Sequence, residues 1–249
     1  MQQRLLIAST PRTGNTWLRK QLGELLGLAE LAVHTPDELD WTALPARTLV
    51  QLHWLPEPQF CERLRQHGFR TLVIARHPLD VLISILHFAP HEPNTARWLD
   101  GAGGDESAII GQSPVSPATL QYGCSPRFRA LLDISTAWWQ RAGVVRIRYE
   151  DAVADTRAAL QRACDALGSP SPTLENVVER NAFDRLRTTS TNQHFWRGQP
   201  GLWRRLLPAD IASAVYRANE PCFRALGYSL DADTGIDRHG ALANWRAVA

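Results

Sequence analysis

Four short apolar runs, at residues 5–8, 48–52, 71–75 and 144–148, have the length and context of strands buried in a parallel sheet. Between and after them, apolar positions recur at helical spacing. They predict helices over 16–27, 57–67, 78–88, 125–142, 156–167, 174–179 and 208–226. Gly27 and Gly68 stand where the first two helices should stop. Strands alternating with helices predict an α/β fold, a parallel central sheet flanked by helices, with its site at the carboxyl ends of the strands. At 249 residues the chain suffices for one such domain, and no shift in composition marks a second. Two stretches break the pattern: 89–125, rich in Pro, Gly and Ser, and 231–249, weak in pattern apart from Trp245.

Composition narrows the picture only slightly. A net charge of +2 gives no support to a nucleic-acid or anionic-membrane partner. Lys20 is the only lysine, so nearly all positive charge is arginine. The four cysteines, Cys61, Cys124, Cys164 and Cys222, are far apart and form no C-x-x-C pair. That spacing predicts free, mostly buried thiols in a reducing compartment. The first apolar run is too short for a signal peptide, and no apolar stretch approaches the ~20 residues of a membrane span. The expected location is the cytoplasm.

The first candidate chemistry lies at residues 9–17, S-T-P-R-T-G-N-T-W, directly after run 5–8 and directly before helix 16–27. Backbone N–H groups at a helix N-terminus, with the positive end of its dipole, form an anion site. Against the triphosphate-cradling loop G-x-x-x-x-G-K-[ST], Ser9 stands at the first glycine and Gly14 and Thr16 fit. Asn15, however, occupies the lysine position, and the fixed charge sits inside the loop at Arg12. A triphosphate and its magnesium would be poorly held without that lysine. The segment therefore predicts a different anion, or by itself only a strand–turn–helix corner.

P-R-T-G-N-T-W resembles the 5′-phosphosulfate loop of the cytosolic sulfotransferases, P-K-S-G-T-T-W. After run 71–75, Arg76, Pro78, Asp80, Val81 and Ser84 fall on that family's 3′-phosphate motif, R-N-P-x-D-V-x-x-S. His53, just past run 48–52, takes the place of the histidine in K-T-H-L-P. Arg148, Tyr149, Glu150 and Asp151 resemble the Y-E-D segment. Arg197, Gly198, Gly201 and Trp203 match the closing motif R-K-G-x-x-G-D-W-K. The resemblance covers residues 5 to about 205 in five ordered segments. On these motifs the chain is identified as a bacterial-like member of the cytosolic-type sulfotransferases, on a P-loop nucleotide-kinase-like fold.

The resemblance implies a donor, 3′-phosphoadenosine 5′-phosphosulfate (PAPS), held at two anion sites. Arg12, Thr13, Gly14, Asn15, Thr16 and Trp17 would form the 5′ site, with Arg12 replacing the lysine that contacts the bridging oxygen. Trp17 would stack on adenine, although the same residue also fits a helix face in the core. Arg76 and Ser84 would hold the 3′-phosphate, joined by Arg197 and the Gly198 backbone. Tyr149 would touch the adenine side, but a polar strand end with a helix cap suits it equally. His53 would take the acceptor's proton; as one of eight histidines it would otherwise fit a structural role. Gln51, Trp196 and Leu202 depart from the family by replacing a lysine, an arginine and an aspartate. Asp80 suits the first turn of its helix through the macrodipole. His87 and His91 have metal-like spacing, but Pro90 between them argues against one face, and no metal site is expected.

The implied reaction is sulfuryl transfer from PAPS to a hydroxyl or amine of a small molecule, natural product or glycan. No nucleic-acid or membrane partner is expected, and a homodimer is allowed. A small-molecule kinase with a degenerate phosphate loop, or a non-catalytic nucleotide-binding protein of the same fold, are the alternatives. Segment 89–125 is expected to be a mobile acceptor-side insertion within the single domain 1–249, a plain surface insertion being the alternative. Its glycines 101, 103 and 104 would act as hinges, and Trp98, Ile109, Ile110 and Tyr122 would offer apolar surface to the acceptor.

Overall fold

Three buried runs and two short edge strands, one of them the run 144–148 with only Ile147 buried, assemble into a five-stranded parallel sheet in the computed structural model. It describes residues 2–91, 106–169, 174–189, 195–230 and 236–248. The strands are β1 (Gln3–Ala8), β2 (Ala29–Ala32), β3 (Arg47–Leu52), β4 (Phe69–Ala75) and β5 (Val145–Arg148), in the order β2-β3-β1-β4-β5. From β1 the chain moves outward to β2 and returns to β3, then crosses to β4 on the other side. The reversal leaves a crevice at the carboxyl end of β1, the usual binding position in open α/β sheets.

The helices among the described residues are α1 (Asn15–Leu26), α2 (Pro58–Gln66), α3 (Pro78–Phe88), α4 (Pro117–Gly123), α5 (Pro126–Trp139) and α6 (Tyr149–Ala154). They continue as α7 (Thr156–Ala166), α8 (Leu174–Arg180), α9 (Phe183–Thr189), α10 (Trp203–Leu206), α11 (Ala209–Leu226) and α12 (Arg238–Val248). Alternate residues of each strand serve opposite faces. Leu5, Ile7, Leu49, Leu72 and Ile74 pack against α1 and α7 through Leu18, Leu22, Leu160 and Ala163. Leu6, Ala8, Val50, Leu52 and Val73 pack against Phe60, Leu64, Ile134 and Trp138 of α2 and α5. Both faces are thus covered, as the near-continuous apolar runs require.

Three features depart from the sequence expectations. Strand β2, Ala-Glu-Leu-Ala, is partly exposed and carries no run of β-branched residues, so its pairing with β3 comes from tertiary context. The tail forms α12, whose Ala241, Trp245 and Val248 follow an i, i+4, i+7 spacing; Ala241 is buried, and Trp245 and Val248 pack on the core around α3 and α11. In segment 89–125, residues 106–125 carry their own structure: Ser116 Oγ caps α4 by accepting from the Thr119 N–H. Buried Glu106 pairs with Arg127 at 2.8 Å and accepts from Tyr122 OH at 3.1 Å. Ile109 and Tyr122 are therefore core residues, not acceptor-facing surface, because Glu106 and α5 draw them inward. Ile110 is exposed. Trp98 and the expected glycine hinge lie outside the described residues.

The cysteines are all free, with Cys164 and Cys222 buried, Cys61 half-buried and Cys124 exposed. Among the described residues no helix is long and apolar enough to cross a membrane.

Candidate active site

Four strand ends converge on one cleft. The loop after β1, His53 after β3, Arg76 after β4 and Tyr149 after β5 all line it, with Ser84 from α3 and Arg197 and Gly198 from the closing segment. The cleft is narrow, with a cavity volume of about 80 Å³ behind a mouth open to solvent.

The β1–α1 loop is braced from within. The Thr10 N–H donates to Ser135 Oγ at 2.7 Å, and Thr10 Oγ1 donates to the Leu131 carbonyl at 2.6 Å, fastening the loop to α5. Asn15 Nδ2 donates to the Thr10 carbonyl at 2.9 Å and to Thr13 Oγ1 at 3.1 Å. Thr13 Oγ1 in turn donates to the Thr10 carbonyl at 2.8 Å. The Thr13 side chain is thus buried and turned into the loop, and Thr13 is not among the residues lining the cleft. Arg12 at φ 66° and Gly14 at φ 100° take left-handed conformations, unusual for an arginine. They turn the chain sharply into α1, whose N-terminus has no side-chain cap. Amides left uncapped at a helix N-terminus suit an anion. Gly14 also lets Tyr149 close in, since a Cβ there would meet its ring at 2.7 Å.

Two guanidinium groups define the cationic side. Arg12 Nε donates to Ser84 Oγ at 3.2 Å, and its guanidinium lies over the Phe88 ring, 4.1 Å from the centroid. Burial, then the nearby Arg76 charge, pushes the Arg12 pKa down to about 9. The group remains charged at neutral pH, so an anion would relieve a built-in repulsion. Arg76 Nη1 donates to the Arg12 carbonyl at 3.1 Å, and the guanidinium lies 4.6 Å over Tyr149. Its Nε is buried with no partner among the described residues. A donor so placed calls for a ligand oxygen.

Tyr149 and Trp17 each belong both to the core and to the cleft wall. Each is buried in the core cluster against α1 and α7 and also lines the cleft, the two rings meeting edge-to-face at 6.2 Å. Tyr149 OH donates to the Gly198 carbonyl at 2.8 Å, tying the closing segment to β5. Asp80, fully buried, does more than complement a helix dipole. It accepts from the Gly201 N–H at 2.6 Å and the Trp203 N–H at 3.0 Å, so the 3′-phosphate motif holds the closing motif in place.

His53 lines the same cleft, partly exposed. Its Nδ1 lies 2.7 Å from the Ser9 carbonyl. A carbonyl only accepts, so Nδ1 carries the proton and the Nε2 lone pair is available. Burial pushes the pKa down to about 4, partly opposed by the Ser9 bond and reinforced by the charges of His34, Arg12 and Arg19. The imidazole is neutral at pH 7, as a proton acceptor must be. Gln51, on the same strand, lines the cleft with its Oε1 buried and unpartnered among the described residues.

Residues that sequence motifs did not flag complete the walls. Phe183 of α9 lies against Gly198, where a Cβ would meet its ring at 2.7 Å, and Phe195 packs on Phe183 at 5.6 Å. Neither carries a polar signal. Only Phe195's position beside the closing motif pointed to it. His87 and His91 lie with rings 5.2 Å apart despite Pro90, because a 3₁₀ turn continues α3 through residues 89–91. No group of three or more His, Cys, Asp or Glu able to hold a metal occurs among the described residues.

Comparison with known proteins agrees with this geometry. Mouse sulfotransferase SULT7A1, solved in complex with PAP, is similar with a TM-score of 0.69 at 17% identity, over 89% of this chain and 85% of that one. Retinol dehydratase, in complex with androsterone and inactive cofactor PAP, has a TM-score of 0.62 at 13% identity, over 92% and 82%. At such identities the likeness shows the fold. No curated protein sequence matches the chain. The sulfotransferase domain family model matches residues 2–226, which include the whole of the sheet and every residue lining the cleft. The chain belongs to the sulfotransferase family.

Proposed function

We propose that this PAPS-dependent sulfotransferase holds its donor between the α1 N-terminus and Arg76, and transfers the sulfuryl group with His53 as general base. The observation that carries this is one cleft containing an uncapped helix N-terminus, two guanidiniums and a neutral histidine with its Nε2 free. The amides of the loop, with Arg12, hold the 5′ end. Arg76, Ser84, Arg197 and the Gly198 backbone hold the 3′-phosphate, and Trp17 and Tyr149 flank the adenine. PAPS supplies a sulfur whose bond to the 5′-phosphate oxygen breaks as the acceptor oxygen attacks in line. His53 Nε2 removes the acceptor's proton, while Arg12 and the amides stabilise the charge that the leaving phosphate gains.

The acceptor is a small molecule, in keeping with the androsterone and retinol found in the retinol dehydratase structures. The free thiols suit a cytoplasmic enzyme. Kinase chemistry is disfavoured by Asn15, whose amide is committed to bracing the loop where a triphosphate-binding lysine would stand.

Adenosine 3′,5′-bisphosphate (PAP) is expected to raise the melting temperature, with AMP and ATP doing so far less. At 100 times the dissociation constant, stabilisation should be about 2.7 kcal/mol. An equal shift from ATP with magnesium would return the kinase reading.

A further inference from the structure

Trp196 stands where the family pattern has an arginine, directly before Arg197 and Gly198. It is held from two sides. His87, from the far end of the helix that carries Asp80 and Ser84, stacks on its ring at 4.0 Å and 13°. On the other side its indole Nε1–H donates to the Val248 carbonyl at 2.9 Å, and Trp245 meets it edge-on at 5.9 Å. Both residues belong to α12, which lies wholly beyond the family match at residues 2–226. That helix is itself anchored: Asn244 Nδ2 donates to the Arg205 carbonyl at 2.9 Å, and Arg238 pairs with Asp210 at 2.5 Å.

We propose that α12 is a positioning element of the donor site: it clamps Trp196 against His87 and thereby presets Arg197 and Gly198 at the cleft. The need arises locally. The segment turns through two left-handed glycines, Gly198 at φ 65° and Gly201 at φ 74°. Glycine lowers the barrier to that shape but raises the entropy lost in holding it. Asp80 fixes only the downstream end, at Gly201 and Trp203. Trp196 fixes the upstream end, so the donor meets a segment already ordered and less of its binding energy goes into ordering it. A phosphate-binding arginine is thus replaced by an aromatic anchor, and the lost charge is partly offset by preorganisation.

The inference rests on the donor site proposed above, and the test separates the two. Trp245→Ala, Trp245→Phe and Trp196→Phe are compared with wild type by titration with PAP, by steady-state kinetics and by hydrogen exchange of residues 195–203. Trp245→Ala should weaken PAP binding and raise the donor KM by about tenfold, the equivalent of one lost contact. Its kcat at saturating donor should stay within about threefold, and 195–203 should exchange faster without ligand. Trp245→Phe should recover most of the affinity, and Trp196→Phe, which removes the N–H donor and shrinks the ring stacked on His87, should fall between. A folded Trp245→Ala protein with unchanged affinity and unchanged exchange at 195–203 overturns the clamp, as does a kcat falling in step with affinity. If wild type binds no PAP, the donor reading fails, and exchange at 195–203 in Trp245→Ala still decides the clamp.

Discussion

His53→Ala is expected to lower turnover by about 10²–10⁴-fold while leaving PAP affinity nearly unchanged. The asymmetry follows from where the ring sits. Its Nδ1–H is committed to the Ser9 carbonyl, and no nucleotide anion is assigned to it. The same geometry sets the pH dependence. A base works in its neutral form, and burial holds the His53 pKa at about 4. The kcat/KM profile of the free enzyme should therefore stay level from neutral pH down to about 5 and fall only below that, instead of turning near the ~6.5 of an ordinary histidine. The assay needs an acceptor whose hydroxyl is not already ionised. Wild-type turnover in His53→Ala, or an unchanged acid limb in that variant, would remove His53 as the base.

Arg12→Ala is expected to lower kcat by about 10²–10³-fold, the usual cost of removing one donor aimed at developing charge. The guanidinium is held by Ser84 Oγ and the Phe88 ring at the junction of the two phosphate motifs, so little reorganisation is needed as charge builds on the leaving oxygen. Arg12→Lys should retain more turnover than Arg12→Ala because the charge survives. It should not match wild type, since the ammonium cannot donate to Ser84 and cover Phe88 in the same way. Both residues pay the same left-handed backbone strain, which separates side-chain chemistry from loop conformation. Stopped single turnovers at saturating donor read the chemical step directly. A loss under threefold in Arg12→Ala would place the charge stabilisation elsewhere.

Much of this site was legible in the chain because it is built from local signals at strand ends. A short apolar run followed by Gly, Thr and Pro placed the β1–α1 loop, and a second run placed Arg76 and Ser84, eight residues apart across a turn and the first turns of a helix. What the sequence could not carry was orientation. Thr13 and Asn15 look like neighbouring ligands on paper, yet the side chain of Thr13 and the Nδ2 of Asn15 are spent bracing Thr10. Asp80 looked like a dipole partner, but its carboxylate reaches Gly201 and Trp203, more than 120 positions away in the chain. Phe183 has no motif at all and enters through packing on Gly198. Composition misled at residues 106–125, where a stretch read as open surface is organised around the buried Glu106–Arg127 pair. In the tail, the 241, 245, 248 spacing was visible but too brief to outweigh its polar surroundings.

The central claim, a donor read at a second anion site by Arg76, is tested most directly by titrating wild type and Arg76→Ala with PAP and with AMP. Arg76 lines the cleft with its Nε unpartnered among the described residues, poised for the 3′-phosphate that AMP lacks. Wild type should prefer PAP strongly. Arg76→Ala should lose about 1.5–3 kcal/mol toward PAP, roughly ten- to a hundredfold in affinity, and almost nothing toward AMP. Equal weakening of both ligands, or a wild type that does not distinguish them, would contradict the account.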